Sequence, residues 1–197
     1  MFRLIWIASA ALLLISSANS SAQQPGKAVG VKPTSQPVAS EGRRWAFLVG
    51  INEYANQPKL KFCRQDCAAL RETLITHSRF EPGKIVMLTD DAKLDRDRPT
   101  YGQVYSRLPQ VLEAAEPSDL VLVYLSGHGA QFEDDKGKHA YFIPLDGSGR
   151  QTSISLSCVT DQLAACKAKS KVLILDACRN DVADGPRGTR SLENSVV

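Results

Sequence analysis

Asp119-Leu120-Val121-Leu122-Val123-Tyr124-Leu125-Ser126-Gly127-His128-Gly129 is an apolar run with no polar alternation, stopped by a glycine-flanked histidine. A strand wetted on one face alternates, whereas one covered on both faces does not. The run therefore reads as a central strand of a parallel sheet, closed by Ser126–Gly129. Lys171-Val172-Leu173-Ile174-Leu175 has the same character and ends in Asp176-Ala177-Cys178-Arg179-Asn180. Working outward, Arg44–Ile51 and Lys84–Leu88 read as two further strands, the first stopped by Asn52 and the second entered through the Pro82-Gly83 turn. Asp66–His77 sets Ala69, Leu70, Thr73, Leu74 and His77 at helical spacing. Thr100–Glu116 does the same with Val104, Leu108, Val111, Leu112 and Ala115, with Pro109 as a kink point. Ser157–Lys167 carries Val159, Leu163 and Cys166, and Ala140–Pro144 reads as a short edge hairpin after the polar loop Gln131–Lys138. Strands alternating with helices imply an α/β fold, a mostly parallel sheet with helices on both faces.

Composition sets the outer limits. The 197 residues are 43% hydrophobic and 23% charged, which suits one globular domain rather than a disordered chain. The net charge of +3 comes without any Lys/Arg run or aromatic-interleaved basic stripe, so nucleic acid is not an expected partner. Arg3, the apolar run Leu4–Ile15 and the small residues Ser20-Ser21-Ala22 form a secretory signal pattern over 1–22. An uncleaved anchor is the alternative, and no membrane contact beyond this segment is expected; the protein is placed as secreted or periplasmic. Residues 23–42, with Pro25, Pro33 and Pro37 among Gly, Ser, Gln and Lys, read as a disordered linker, leaving 43–197 as the folded domain. Five cysteines in an exported chain allow two disulfides and one free thiol. Cys63, Cys67, Cys158 and Cys166 have three possible pairings, or serve as small buried hydrophobes.

Sites in open α/β sheets form at the carboxyl ends of strands. His128 stands three positions past Leu125, and Cys178 three past Leu175. If these strands are parallel neighbours, ~4.8 Å apart, the two side chains emerge side by side at one level. A thiol with an ordinary pKa of about 8.5 needs a base or cation nearby to become a nucleophile, and histidine supplies it, then protonates a leaving amine. Gly127 and Gly129 let a peptide backbone approach and leave N–H groups for an oxyanion. Taken singly, a cysteine after a strand is usually structural and a Gly-His-Gly usually a turn; at matching strand ends they point to one chemistry. A phosphate-binding loop at Ser126–Gly129 is the weaker reading, since no P-loop or dinucleotide fingerprint is present.

The chain resembles the caspase-like peptidases, the group that includes the metacaspases. The resemblance rests on Val49-Gly50-Ile51-Asn52-Glu53-Tyr54, Leu60 with Asp66-Cys67-Ala68-Ala69-Leu70, Tyr124–Gly129 and Leu173–Arg179, and covers about Arg43 to Asn180. It implies a three-layer caspase-like fold and a cysteine endopeptidase acting on protein or peptide substrates. His128 is then the general base, Cys178 the nucleophile, and the amides of Gly129 and Cys178 the oxyanion hole. Asp176, two residues before the cysteine, and Asp66 resemble the acidic residues of metacaspases; two carboxylates suit an Arg or Lys side chain, so cleavage after basic residues is expected. A helix cap is the structural alternative for Asp66, and a turn role for Asp176. The chemistry requires no cofactor. Calcium is a candidate activator by analogy with some metacaspases, with Asp90-Asp91 and Glu133-Asp134-Asp135 as candidates by composition, though neither resembles an EF-hand loop and no metal-ligand set is expected. Arg179-Asn180-Asp181 stands where metacaspases commonly continue His-Ser-Gly. Only nineteen residues follow Cys178, so the sheet is expected to lack its last strands, as a truncated frame or as a subunit needing a partner chain. A catalytically incompetent binding or scaffold module is the alternative function. Arg179, Arg187 and Arg190 are candidate self-cleavage points.

Overall fold

The apolar run at 120–125 is a strand covered on both faces, as its lack of alternation requires. In the computed structural model, residues 42–135 and 137–181 are described, the last four as backbone alone. The expected signal segment, nearly all of the linker, and Arg187 and Arg190 lie outside the described residues. The elements run β1 (Arg44–Gly50), α1 (Cys63–His77), β2 (Ile85–Thr89), α2 (Tyr101–Glu113), β3 (Leu120–Asp134), β4 (Gly137–Phe142), β5 (Ile154–Ser155), α3 (Leu156–Ala165) and β6 (Ser170–Asp181).

They form one six-stranded sheet between two helical layers. Alternate residues of the central strands part to its two sides. Val121, Val123 and Leu125 of β3, with Phe47 and Val49 of β1, pack under Val104, Leu108, Val111 and Leu112 of α2 and Val159 and Leu163 of α3. Leu122 and Tyr124, with Ala46 and Leu48, pack under Cys67 and Leu74 of α1. Leu125 is fully buried, and truncating such a residue to alanine typically costs about 2–5 kcal/mol.

The sheet is mixed. The β1–β2, β1–β3 and β3–β6 ladders are parallel, and the β3–β4 and β4–β5 ladders antiparallel. The sequence reading ended the third strand before Gly-His-Gly, but β3 runs straight through it. One edge of β3 serves two neighbours in succession: β1 along 120–126, then β4 along 129–134. The other edge pairs with β6 from 120 to 131. These ladders supply backbone partners that outweigh the breaking tendency of two glycines. The polar stretch 131–134, expected as loop, is strand for the same reason. Strand β6 likewise continues past Cys178 to Asp181.

Two further readings need correction. Helix α1 starts three residues earlier than expected, because its N-cap is Phe62, which offers no side-chain hydrogen bond. Its buried residues are Cys67 and Leu74, while Ala69, Thr73 and His77 are exposed. Cys63, Cys67, Cys158 and Cys166 are all free thiols, so none of the three pairings is present.

At the opposite end of the sheet from the strand carboxyl termini, Asp119 ties β1 to β3. It is buried and accepts from Arg43 N at 2.7 Å, Arg43 Nε at 3.1 Å, Trp45 Nε1 at 3.0 Å and Glu116 N at 2.9 Å. Burial opposes its charge, but these donors win and hold its pKa down at about 2. Among the described residues β6 pairs with β3 alone, and Val172, Ile174 and Leu175 are 40%, 38% and 41% exposed.

Candidate active site

Register brings the two reactive positions together. In the parallel β3–β6 ladder, His128 pairs with Cys178 and Ser126 with Asp176. Neighbouring strands are ~4.8 Å apart, so the histidine and cysteine positions are adjacent across the sheet. The expected juxtaposition holds, although both residues stand within strands rather than past their ends.

His128 is buried and held by Tyr54 and by the Pro58 carbonyl. Its backbone N–H donates to Tyr54 Oη at 2.8 Å, and the Tyr54 ring lies 4.8 Å from the imidazole, tilted at 54°. Its Nε2 lies 2.7 Å from the carbonyl oxygen of Pro58. A carbonyl only accepts, so this bond puts the proton on Nε2 and leaves Nδ1 with the lone pair a general base requires. Burial pushes the Tyr54 hydroxyl well above its ordinary pKa, against the hydrogen bond from His128, so it stays protonated.

Gly127 has a packing role that the sequence did not suggest. A Cβ there would lie 2.3 Å from Tyr54 Oη and 3.1 Å from the Phe142 ring. The missing side chain makes room for the tyrosine that anchors His128. Gly50 works similarly: a Cβ would lie 2.6 Å from the Cys63 carbonyl oxygen and 2.7 Å from Cys67 Cβ. Its absence lets the first turn of α1 settle on the end of β1. Gly129 occupies the register position between Phe142 of β4 and Arg179 of β6, one residue past the histidine.

That first turn builds the second part of the site. Asp176 is exposed and accepts from Ser126 Oγ at 2.9 Å, with Tyr124 Oη 3.5 Å away. Cys63 also hydrogen-bonds with Ser126. Burial raises its thiol pKa, and the charges of Asp176 and Asp66 raise it further, against the Ser126 hydrogen bond. The Tyr124 hydroxyl is pushed up by burial and by the same two carboxylates. Asp66 and Asp176 thus act on one small locality, and among the described residues neither forms an ion pair. Asp66 is not the helix cap, because α1 begins at Cys63. A thiol kept protonated beside two carboxylates is a poor nucleophile, so Cys63 is a neighbour of Asp176 and Asp66 rather than a second reactive thiol.

The loop from Asn52 to Phe62 carries Tyr54 and Pro58. Asp90, with its side chain 3% exposed, accepts from Asn52 N at 2.9 Å and pairs with Arg64 Nη1 at 3.1 Å. Asp134 pairs with Arg150 at 2.6 Å and His139 at 3.0 Å. Among the described residues no group of three or more His, Cys, Asp or Glu is arranged to hold a metal ion. No described helix is long and apolar enough to cross a membrane. A cavity of about 360 Å³ lies between α2 and α3, away from these groups; Cys166 on its wall donates to the Leu112 carbonyl at 3.3 Å.

A family model described as the caspase domain matches residues 43–195. The chain belongs to the caspase-domain family. Metacaspase-1 of Pyricularia oryzae is 32% identical over 110 residues, which cover 53% of this chain and 28% of that protein. Metacaspase-1 of Cryptococcus neoformans var. neoformans is 28% identical over 138 residues, covering 68% of this chain and 29% of that one. This caspase-domain chain thus spans less than a third of the length of these two relatives. Among solved structures, protein GSU0716 of Geobacter sulfurreducens superposes with a TM-score of 0.51 at 20% identity, over 69% of this chain and 50% of that one. That likeness concerns the fold: a sheet between helical layers.

The sequence reading named His128, Cys178, Asp176 and Asp66, and the fold brings them to one end of the sheet. It quoted Tyr54 only within a motif and passed over Pro58; their contacts with His128 span 74 and 70 residues. It also missed Cys63. Here a signal existed: Cys63 and Asp66 lie one helical turn apart, and a correct helix start would have placed them on one face.

Proposed function

We propose that this chain is a cysteine endopeptidase that cleaves peptide bonds after Arg or Lys. The observation that carries the reading is the β3–β6 register, which sets His128 opposite Cys178 and, two residues back, Ser126 opposite Asp176. The basic side chain before the scissile bond enters the pocket of Asp176, Ser126, Cys63 and Asp66. The Cys178 thiol gives its proton to Nδ1 of His128, and its sulfur bonds to the scissile carbonyl carbon. The amides of Gly129 and Cys178 hold the oxyanion. His128 passes the proton to the leaving amine as the C–N bond breaks. Water then adds to the thioester, releasing the acid and restoring the thiol. This sequence needs no cofactor; calcium as an activator is examined by adding it or a chelator. Export to the periplasm or medium through residues 1–22 completes the reading, and N-terminal sequencing of the exported chain tests it.

A second reading has its own support. Among the described residues β6 pairs with β3 alone, and this edge with the exposed Val172, Ile174 and Leu175 suits further strands laid beside β6, from the same polypeptide or a partner subunit. In that case the chain alone binds peptides without turnover.

The test is hydrolysis of short peptides ending in Arg, Lys or Asp, with Cys178→Ala and Asp176→Asn alongside. Turnover after Arg and Lys is expected, abolished by Cys178→Ala. A hydrogen bond to a charged group is worth about 1.5–3 kcal/mol, so Asp176→Asn lowers kcat/KM on Arg peptides by roughly 10–150-fold. Cleavage confined to Asp peptides would overturn the pocket assignment, and binding without turnover would favour the second reading.

A further inference from the structure

The cavity of about 360 Å³ lies where the last turns of α2 and α3 come together, on the side of the sheet opposite α1. Close-packed proteins keep few voids larger than a water molecule, and this one has the size of a small-molecule pocket, ~300–1,000 Å³. Pro109 and Leu112 of α2 and Ala165 of α3 give it an apolar wall. The Cys166 thiol, also on the wall, ties the two helix ends together through its bond to the Leu112 carbonyl.

One polar residue of the wall is left half satisfied. Gln162 Nε2 donates to Cys158 Sγ at 3.2 Å, but Gln162 Oε1 is buried with no hydrogen-bond partner among the described residues. Gln162 also lines a second cavity, of about 120 Å³, that reaches Tyr105 and Leu108 of α2. A buried amide oxygen without a donor is uncommon in folded proteins, and leaving it so costs free energy that a donor recovers. A ligand that only accepts hydrogen bonds gains nothing from this oxygen. The charges on the wall then set the charge of the ligand. Glu113 and Lys167 both line the cavity, both are exposed, and neither forms an ion pair among the described residues. Their opposite signs offset each other, so the cavity favours neither an anion nor a cation.

We propose that this cavity binds a small uncharged organic molecule, mostly apolar, with one hydrogen-bond donor that Gln162 Oε1 accepts. The apolar body covers Pro109, Leu112 and Ala165, and the donor supplies the partner that the amide oxygen lacks. The proposal is independent of the peptidase reading, since neither His128 nor Cys178 takes part. A molecule held between α2 and α3 binds the folded chain only, so it stabilises the fold by mass action.

The test uses the whole chain with indole and with 1-methylindole, in which a methyl group replaces the N–H donor. Indole is expected to bind with a dissociation constant of about 0.1–1 mM. At about ten times that concentration it should raise the melting temperature by roughly 3–6 °C. It should also slow alkylation of Cys166 by iodoacetamide about tenfold and leave Cys63 unaffected, as read by mass spectrometry. 1-Methylindole should bind the parent chain about three- to tenfold more weakly than indole. In Gln162→Met, which keeps the length of the side chain and removes Oε1, the two molecules should bind within about twofold of each other. The parent-chain comparison and the Cys166 footprint decide the matter even where Gln162→Met does not fold. Three results overturn the proposal: no rise in melting temperature and no protection of Cys166 with indole, protection of Cys63 in place of Cys166, or equal binding of the two molecules to the parent chain.

Discussion

Gly127→Ala is the substitution that most sharply probes how the histidine is held. The added methyl would lie 2.3 Å from Tyr54 Oη and 3.1 and 3.2 Å from two ring atoms of the fully buried Phe142. Ordinary contacts are ~3.5–4.0 Å, so the tyrosine must withdraw by more than an ångström. That breaks its 2.8 Å hydrogen bond with the His128 N–H and leaves a buried donor unpaired, at a cost of about 1–3 kcal/mol. Crowding against Phe142 adds about 1–3 kcal/mol. The total, about 2–6 kcal/mol, is a large part of the ~5–15 kcal/mol that holds a domain folded. Tyr54→Phe alone removes the same acceptor and costs about 1–3 kcal/mol. The double variant loses that hydrogen bond once, not twice, and has no hydroxyl for the methyl to strike. Urea unfolding of the four proteins should therefore show the double variant less destabilised than the sum of the single ones, by at least ~1 kcal/mol. Additivity within ~0.5 kcal/mol would refute the idea that Gly127 exists to admit Tyr54.

Further predictions concern Asp119, Arg64 and Asp176. Asp119 has a folded pKa of about 2 against about 3.9 unfolded, so its stabilisation is present above about pH 4 and is lost as pH falls toward 2; the urea midpoint should drop across that window, and less so in Asp119→Asn. At neutral pH, Asp119→Asn should cost about 2–4 kcal/mol, because an amide cannot accept from all four donors. Arg64→Met leaves the buried Asp90 carboxylate without its cation and should loosen the Asn52–Phe62 loop, lowering kcat on any substrate by about tenfold and raising amide exchange at residues 52–54. Asp176→Asn removes a negative charge beside Cys63, so iodoacetamide should alkylate Cys63 faster at pH 8; an unchanged rate would separate Asp176 from Cys63.

Much of the core was readable because burial on two faces leaves a distinctive mark. Val121 to Leu125 lacks alternation for the reason the structure shows, and the same mark at 172–175 located the second reactive strand. Those outer residues of β6 are nevertheless half exposed among the described residues, so the pattern reports what the strand is suited to meet. Gly127-His128-Gly129 read as a stop because glycine weakens isolated strands, whereas here β6 pairs with all three residues and β4 takes up the other edge from Gly129. The start of α1 was hidden because Phe62 is not a capping residue, and that single misplacement also concealed Cys63. Contacts spanning seventy residues, such as Tyr54 and Pro58 on His128, carry no local pattern at all.

The central claim, that Cys178 is the nucleophile and His128 its base, is tested most directly by labelling. The chain is treated with a peptidyl-arginine chloromethyl ketone and digested, and the five cysteines are compared by mass spectrometry. The account predicts a single adduct on Cys178, slowed at least a hundredfold by His128→Ala and prevented by excess arginine peptide. An adduct on Cys63, or equal labelling with and without His128, would contradict it.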